Sequence, residues 1–571
     1  MKPFTIFLLA LSVSLGARLP ARAQTTPPAD WAVACATNGQ PYSLVVDAQG
    51  NSYVAGYFSG SITLGSTTLT ATQPAPGNSY ARDAFLAKLN AQGQYQWAMQ
   101  LGDGQDGSLY VGAVDNADNL CVIGNFRSYS LQLGAGGPTL YNSSNKSEGF
   151  VARFSALNGQ CQWARRFGGT GDDYAGAPVL NAAGEIFLVG SIGDGAADFG
   201  AYTLPAAPVY GSSRPFLAKL SPAGTWLWAQ QVGTYPPNSY ESAYVGRPVL
   251  DGVGNIYLTG TFQIPTMTMG STTLTTTTTL NGGADLFIAK YTEGGALRWA
   301  RQASPGGQNG FSGQAGFYDG QGHLYFSGSF DSQTARFGSL TLTNAGPLVP
   351  PPIGPAPPTP NTTRYFSDGF VARYDTAGTW QWAVRRGGYN TADGAAILNG
   401  AGLLYGVYYS EYGTPVQVAP LNLATGAWGS DNTLPTSAIL TSDQLGRLYV
   451  YGAFTGTSLT LGGQIVPGAG GTSKTGYVAR LGQLALPTRS AQASATEGLH
   501  AWPTPGPGTG VWVQGAQAGQ AVEVLDVLGR RVGGGTMPTS GILRLSWAGA
   551  VLAPGVYVVH SGERSTRWVV E

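Results

Sequence analysis

Histidine is close to absent from this chain. Three occur in 571 residues, and two of them, His500 and His560, sit near the C-terminus, which leaves only His323 for the body of the molecule. A histidine-based catalytic triad or a multi-histidine metal site has almost nothing to draw on. Cysteine is equally scarce. Cys35, Cys121 and Cys161 form an odd set without metal-ligand spacing and read as single buried thiols. Charge is thin as well, at 11% of residues against about 25% in an ordinary globular chain, so long charged helices are excluded. The 30 basic and 30 acidic residues cancel and leave no electrostatic footprint for nucleic acid or an anionic membrane. Glycine, by contrast, is abundant: 85 residues, about twice the usual share of roughly 7%. With 21 Phe, 29 Tyr and 13 Trp the chain is too aromatic for a disordered polymer. These counts describe a folded, neutral, turn-rich protein.

The one long apolar run lies at the N-terminus, from Phe4 to about Leu15, and is shorter than the roughly 20 residues of a membrane span. Lys2 precedes it, and Ala21 and Ala23 supply the A-x-A spacing of a signal peptidase site. The pattern predicts a signal peptide over residues 1–23, cut between Ala23 and Gln24, with no transmembrane segment left afterwards. The mature chain is then expected in the periplasm.

The middle of the chain repeats. DGVGNIYLTGTF sets Asp251, Gly254, Tyr257, Gly260 and Phe262 at fixed offsets. The same phrase recurs as Asp47, Gly50, Tyr53, Gly56 and Phe58, as Asp319, Gly322, Tyr325, Gly328 and Phe330, and as Asp443, Gly446, Tyr449, Gly452 and Phe454. Worn copies start at Asp115, Asn181 and Asn399. A second phrase alternates with it: FLAKL at Phe85, FVARF at Phe150, FLAKL at Phe216, FIAKY at Phe287, FVARY at Phe370 and YVARL at Tyr477, with a poor copy near Val416. A glycine turn and Trp-Ala follow most copies, at Trp97, Trp163, Trp228, Trp299 and Trp382.

D-x-x-G between apolar runs predicts a tight hairpin, with the carboxylate accepting backbone N–H groups and the glycine at positive φ. Alternation in NIYLTGTF places Ile256, Leu258, Gly260 and Phe262 on one face and Tyr257, Thr259 and Thr261 on the other. Neither face is charged, so both are expected to be covered, and the in-strand glycine predicts a neighbouring sheet in close approach. One strand before the Asp, one after it, the FLAKL strand and the Trp-Ala strand make four per unit. Seven such units are the arithmetic of a seven-bladed β-propeller. YVARL at Tyr477 lacks a Trp-Ala strand after it, while Trp31 and Ala32 stand alone before the first Asp phrase, so the strand at Trp31 is expected to complete the last blade. The repeat is similar to bacterial seven-bladed propeller repeats of secreted proteins, with their D-x-x-G-N-x-Y-x-x-G and F-x-A-K/R motifs, over residues 31–481.

After Leu481 the style changes. A small, polar stretch over 483–496 reads as a linker, and a compact β unit follows at 497–571. AWPTPGPG carries Pro503 and Pro505, DVLGRR carries Asp526, Gly529 and Arg530, and LAPGVYVV carries Gly555 and Tyr557; STRWVVE ends the chain. In that order these elements resemble the C-terminal sorting domain of proteins exported by the type IX secretion system of Bacteroidetes. Trp502 and Thr504 depart from the family's Tyr and Asn at the first element. The resemblance implies the type IX machinery as a partner, an address function for the last unit, and passage from the periplasm to the medium or the outer cell surface.

The fold expected is thus all-β: a seven-bladed β-propeller over 24–482 followed by a small C-terminal β-sandwich domain. No cofactor is expected. The acidic loops at Asp103 and Asp106 and at Asp172 and Asp173 leave calcium as the one metal to consider, although neither has an EF-hand series. The recurring cations Lys88, Arg153, Lys219, Lys290, Arg373 and Arg480 read as structural rather than as an anion-attracting ring. Variable connections between the Phe-ending strand and the FLAKL strand are the expected place for binding. The functional expectation is an exported, non-enzymatic scaffold that binds a protein or glycan partner. The alternative is a secreted polysaccharide hydrolase or lyase using carboxylates at the propeller mouth.

Overall fold

The structure is a computed structural model that describes residues 28–72, 82–102, 108–115, 119–142, 144–206, 213–236, 243–277, 283–305, 311–345, 367–386, 396–400, 403–408, 416–423, 425–428, 432–435, 438–443, 447–482, 500–503, 510–514, 519–525, 531–538, 542–546, 555–561 and 564–570. The signal-peptide residues Ala23 and Gln24, the turn glycine Gly446, Asp103 and Asp106, the proline tract, and Pro505, Asp526, Gly529 and Arg530 of the sorting motif lie outside these residues. Among the described residues every regular element is a β-strand. Residues 1–484 and 485–571 form two units.

Why strands form follows from the hairpin phrase. Asp251 Oδ1 accepts the N–H groups of Val253 and Asn255, each at 3.0 Å, while Oδ2 accepts Asn255 Nδ2 at 2.6 Å and the Tyr257 hydroxyl at 3.2 Å. Gly254 supplies the left-handed backbone at φ +95° that lets the chain reverse. One carboxylate thereby fixes the turn and reaches six residues into the next strand. Asp47 makes the same four bonds, with Gln49, Asn51 and Tyr53. At Asp319 the His323 ring takes the asparagine's place at 2.8 Å, and at Asp443 the Arg447 side chain does so at 2.5 Å.

Among the described residues the first unit holds successive groups of antiparallel strands, the second of which runs on into the hairpin Ala197–Phe199 with Tyr202–Leu204 and the fourth into Thr334–Phe337 with Leu340–Thr343. Sheet 1 is Gly39–Val46, Ser52–Phe58, Asp83–Leu89 and Tyr95–Leu101; sheet 2 is Ser108–Val114, Asn119–Phe126, Glu148–Ser155 and Cys161–Gly169. Sheet 3 is Tyr174–Leu180, Ile186–Ile192, Arg214–Leu220 and Trp226–Gln231; sheet 4 is Ala243–Val245 with Val249–Leu250, then Asn255–Phe262, Asp285–Thr292 and Leu297–Pro305. Sheet 5 is Phe311–Tyr318, His323–Phe330, Asp368–Asp375 and Trp380–Arg386; sheet 6 is Ala396–Gly400, Leu403–Tyr408, Val416–Leu421 and Asn432–Leu434. Sheet 7 joins Ile439–Ser442, Leu448–Thr455 and Lys474–Leu481 to Ala29–Thr37 from the other end of the chain, with Trp31 opposite Arg480.

There is no single core. One apolar cluster lies between each consecutive pair of sheets, and the last lies between sheets 7 and 1. This accounts for the burial of Asn255–Phe262, where seven of eight residues are buried. Ile256, Leu258 and Phe262 face sheet 3, and Tyr257 faces sheet 5. The order of contacts between sheets closes on itself, sheet 7 against sheet 1, in a β-propeller-like arrangement.

Adjacent sheets are also latched near the turn that follows the third strand. The cation of one sheet and its Trp-Ala tryptophan converge on a turn carbonyl of the next. Lys88 and Trp97 donate to Ala156 O at 3.0 and 3.2 Å, Arg153 and Trp163 to Pro222 O at 2.7 and 3.0 Å, and Arg373 and Trp382 to Leu423 O at 2.9 and 3.3 Å. Arg480 and Trp31 do the same at Ala91 O, at 2.9 and 3.0 Å. The tryptophan lies against the positive-φ glycine of that turn, Trp97 on Gly159, Trp163 on Gly224 and Trp31 on Gly93, where a Cβ would come within 3.1 Å of the ring. Lys219 departs from the rule and pairs with Glu185 of its own sheet at 2.7 Å. The recurring cations are therefore engaged between sheets rather than presented as a ring.

Two expectations are corrected. The in-strand glycine does not admit a neighbouring sheet. A Cβ on Gly56, Gly190 or Gly260 would stand 2.3, 2.1 or 2.2 Å from the carbonyl oxygen of Gln40, Tyr174 or Tyr244, and within 2.7 Å of Phe85, Phe216 or Phe287, all in the same sheet. The glycine accommodates an irregularity in the innermost strand, whose register breaks just beyond it, after Pro41, Ala175 and Val245. The second correction concerns the expected four strands per unit. Six of the variable connections contain a further short hairpin, such as Ser61–Leu64 with Thr67–Thr70 and Thr266–Met269 with Thr272–Thr275. The recurring signal L/M/F-G-x-x-x-L, as at Leu64, Gly65 and Leu69, was there to be read.

In the second unit, sheets of three strands (His500–Pro503, Gly510–Gln514, Ile542–Ser546) and four strands (Arg531–Thr536, Ala521–Leu525, Gly555–Ser561, Arg564–Val570) share one apolar cluster of Val511, Val513, Val522, Val524, Leu545 and Val559. Tyr557 is buried within it.

Candidate functional site

The conserved-looking repeat residues Asp47, Tyr53, Asp251, Tyr257, Asp319, Tyr325, Asp443 and Tyr449 are all drawn into the hairpin bonds. They carry architecture and leave the ligand question to the opposite end of the sheets, where the second strand ends and the third begins. There the third strands open on buried ionisable residues: Asp83, Glu148, Arg214, Asp285 and Asp368. Asp285 accepts bonds from Thr277, Ser304 and Gln302, and burial raises its carboxyl above the ordinary range. Burial does the same to Asp368, which accepts the Ala345 N–H at 2.7 Å.

At sheets 2 and 3 this end differs. Tyr129 and Tyr141, on either side of a short hairpin (Ser130–Gln132 with Thr139–Tyr141), are 78% and 59% exposed, with ring centroids 5.9 Å apart and planes at 65°. Tyr174, the first residue of sheet 3, is 42% exposed. Arg127 donates to Asp172 at 2.9 Å and Lys146 to its other oxygen at 3.3 Å, and Arg127 also lies within interaction range of Tyr174. Burial pulls the Asp172 carboxyl up, but the Ser147 N–H, Lys146 and Arg127 outweigh it and hold the group below its ordinary range.

Beneath them, Asp173 is fully buried and accepts the N–H groups of Gly169 at 2.8 Å and Gly193 at 3.0 Å. Desolvation, with Glu148 and Asp172 adding repulsion, pushes its carboxyl up to about 7 against those two bonds. Asp172 and Asp173 are thus engaged by protein donors, which is not a calcium cradle. Among the described residues no three His, Cys, Asp or Glu side chains gather for a metal.

The sign of the pH effect follows. Between about 3.8, the ordinary aspartate value, and about 7 the folded state holds a proton on Asp173 that the unfolded state has lost. Stability is full below that window and falls as pH rises through it, by at most about 1.4 kcal/mol per pH unit. Asp285 and Asp368 add the same sign, so the difference between wild type and Asp173→Asn isolates this group. Urea unfolding across the window reads it; parallel profiles for the two proteins would refute the assignment.

The thiols stay apart. Cys121 and Cys161 lie in sheet 2 on strands separated by a third, and Cys35 is in sheet 7; all three are free. Burial pushes Cys121 and Cys161 up to about 12, so neither is a ready nucleophile.

No family model and no curated protein matches the chain. Solved structures do. The polysaccharide lyase Uly1 is similar at 11% identity over 82% of this chain and 94% of its own, with a TM-score of 0.43. A quinohaemoprotein alcohol dehydrogenase from Comamonas testosteroni is similar at 10% identity over 81% and 78%, with a TM-score of 0.35. An ulvan lyase of family PL25 is similar at 10% over 74% and 93%, with a TM-score of 0.37. These neighbours are β-propeller-type proteins. The expectation of a protein without enzymatic activity is corrected accordingly: proteins of this general architecture include enzymes, and scarcity of histidine does not remove catalysis from it. At such identities and TM-scores the likeness concerns architecture and carries no substrate, cofactor or activity to this chain.

Proposed function

We propose that this is an exported protein whose seven four-stranded sheets are the blades of one ring, closed by Ala29–Thr37, and that the ring recognises a glycan at the outer end of sheets 2 and 3. The last unit, read as a β-sandwich, acts in this reading as the address for type IX secretion. Export rests on the N-terminal A-x-A pattern and on the ordered C-terminal motifs; a chain ending at Ser490 should stay in the periplasm, and its release into the medium would count against the address.

The exposed pair Tyr129 and Tyr141 carries the recognition claim. Tyrosine rings offer an apolar face to solvent beside a hydroxyl and suit surfaces that are half wet, and two of them in ring contact, with Tyr129 two residues on from Arg127, form a patch that folding alone does not call for. Sugar rings present apolar C–H faces to stack on such rings and hydroxyl, carboxylate or sulfate groups to meet the Arg127 guanidinium. The double substitution Tyr129→Ala with Tyr141→Ala should weaken glycan capture by at least about tenfold and leave the unfolding midpoint unchanged, because both side chains are solvent-facing. Equal capture by the variant on a panel of neutral and acidic polysaccharides would dismiss the site.

The second reading is cleavage of a polysaccharide at the same end. It is favoured by the carboxylates gathered at that end, Asp172 partly exposed with Asp173 and Glu148 buried close by. Product release measured on the same panel tests it: turnover that survives Asp172→Asn would assign the chemistry elsewhere.

A further inference from the structure

The innermost strand of each sheet pairs on one side only, and its free edge faces the axis of the closed circuit of contacts. In sheet 4 this strand is interrupted between Ala243–Val245 and Val249–Leu250, just past the carbonyl that Gly260 makes room for. Gly246 keeps a ladder bond to Thr259 O at 2.8 Å, and the next residue, Arg247, is outside the paired stretches of the strand. A break of this kind re-aims a side chain. At the same register the corresponding residues of sheets 1 and 3 are Tyr42 and the pair Gly176–Ala177, which bring no charge.

Arg247 is exposed to solvent midway along the strand, although its neighbour Pro248 is buried. An innermost strand reaches solvent at mid-height only along the axis, so the guanidinium stands in the axial channel. Among the described residues no carboxylate pairs with it. Surrounding protein strips enough water from the guanidinium to lower its proton affinity. A cation that is partly dehydrated and uncompensated is unfavourable by itself and is relieved by an anion. Above it, Tyr174 and Tyr244 occupy the same position on adjacent innermost strands, opposite Ser191 and Thr261, and are 42% and 55% exposed. They mark the channel end opposite the Asp turns as the open approach.

We infer that the axial channel binds a compact oxyanion, a carboxylate or sulfate group, on Arg247, entering from the end lined by Tyr174 and Tyr244. The site is separate from the Tyr129–Tyr141 surface and does not depend on the glycan reading.

The full-length protein should bind sodium glucuronate or inorganic sulfate saturably in calorimetry at constant ionic strength. Arg247→Gln should weaken that binding by about tenfold or more, and Arg127→Gln should leave it intact. In anion-free buffer Arg247→Gln should unfold at or above the wild-type midpoint, because it removes a charge with which no carboxylate pairs among the described residues. In saturating anion only proteins that keep Arg247 should gain stability. A lower midpoint for Arg247→Gln in anion-free buffer would make the residue structural and overturn the proposal. Binding lost in Arg127→Gln but kept in Arg247→Gln would move the anion to the outer surface, overturning the channel site while leaving the glycan reading standing. Absence of saturable binding by wild type to either probe overturns it outright.

Discussion

Replacing Trp31 by alanine should lower the unfolding free energy of the first unit by about 3 kcal/mol or more, the range for truncating a buried tryptophan. The ring is 8% exposed, lies in the apolar cluster between sheets 7 and 1, rests on Gly93 and donates to Ala91 O. Removing residues 24–37 should do more. Ala29–Thr37 is the fourth strand of sheet 7, and without it Lys474–Leu481 becomes an open edge and the junction between the two ends of the circuit loses its latch. Elsewhere adjacent sheets are joined by continuous chain, so a weakened interface is still held at high local concentration. Ala29–Thr37 is the chain link from sheet 7 to sheet 1, and only noncovalent contacts hold it to Lys474–Leu481 at the far end of the unit, a closure of so long a loop that it is entropically unfavourable. The deleted protein should therefore unfold early and without full cooperativity, and expose an edge prone to pairing with other chains. Denaturant unfolding followed by tryptophan fluorescence, with Trp163→Ala as the comparison at a chain-connected junction, reads both effects. A deleted protein with the wild-type midpoint would show that sheet 7 does not depend on this strand.

The second large effect is expected at Asp251. Alanine there removes the acceptor of four hydrogen bonds, two from turn N–H groups, one from Asn255 and one from the buried Tyr257 hydroxyl. Leaving a buried donor unsatisfied costs about 1–3 kcal/mol, and the loss of the turn bonds adds to it, so a total of about 3 kcal/mol is expected. Asp251→Asn should be milder. The chain already uses asparagine at the corresponding turn of sheet 3, where Asn181 accepts the N–H groups of Ala183 and Glu185 at 3.1 and 3.0 Å. Combined with Tyr257→Phe, a double-mutant cycle should show coupling of about 1 kcal/mol, because both changes break the same bond. Additive costs would mean that the hydroxyl finds another partner.

Much of the architecture could be read from residues alone, because its causes are local. Asp, Gly, Asn and Tyr at offsets of three, four and six define a turn whose bonds span no more than six residues. Alternation in NIYLTGTF predicted two covered faces for the same reason, since side-chain direction is set by the strand itself. The isolated Trp31–Ala32 pointed to the strand paired with Lys474–Leu481 because YVARL at Tyr477 has no Trp-Ala strand after it.

Other features depend on neighbours far away in sequence. The recurring cation and Trp-Ala were visible as repeats, but their shared target is a carbonyl 59 to 69 residues onward at Ala156 and Pro222, and 389 residues back at Ala91. The in-strand glycine was legible as a position and misassigned in cause, because what it admits is a carbonyl of the strand before it. The short hairpins were overlooked for lack of charge or Asp-Gly turns. The candidate sites were not legible at all. Tyr129, Tyr141, Tyr174 and Tyr244 are four of 29 tyrosines, and nothing in their immediate sequence separates them from the buried Tyr53, Tyr257 or Tyr449.

Sequence by itself determined the repeat, its turns and the all-β class, since these follow from periodicity and from bonds made within a few residues. Tertiary structure alone decided which side chains remained in water. Exposure is set by what packs against a residue from another sheet, and Arg247 and the outer tyrosines owe theirs to the places where the sheets leave an edge or an end uncovered.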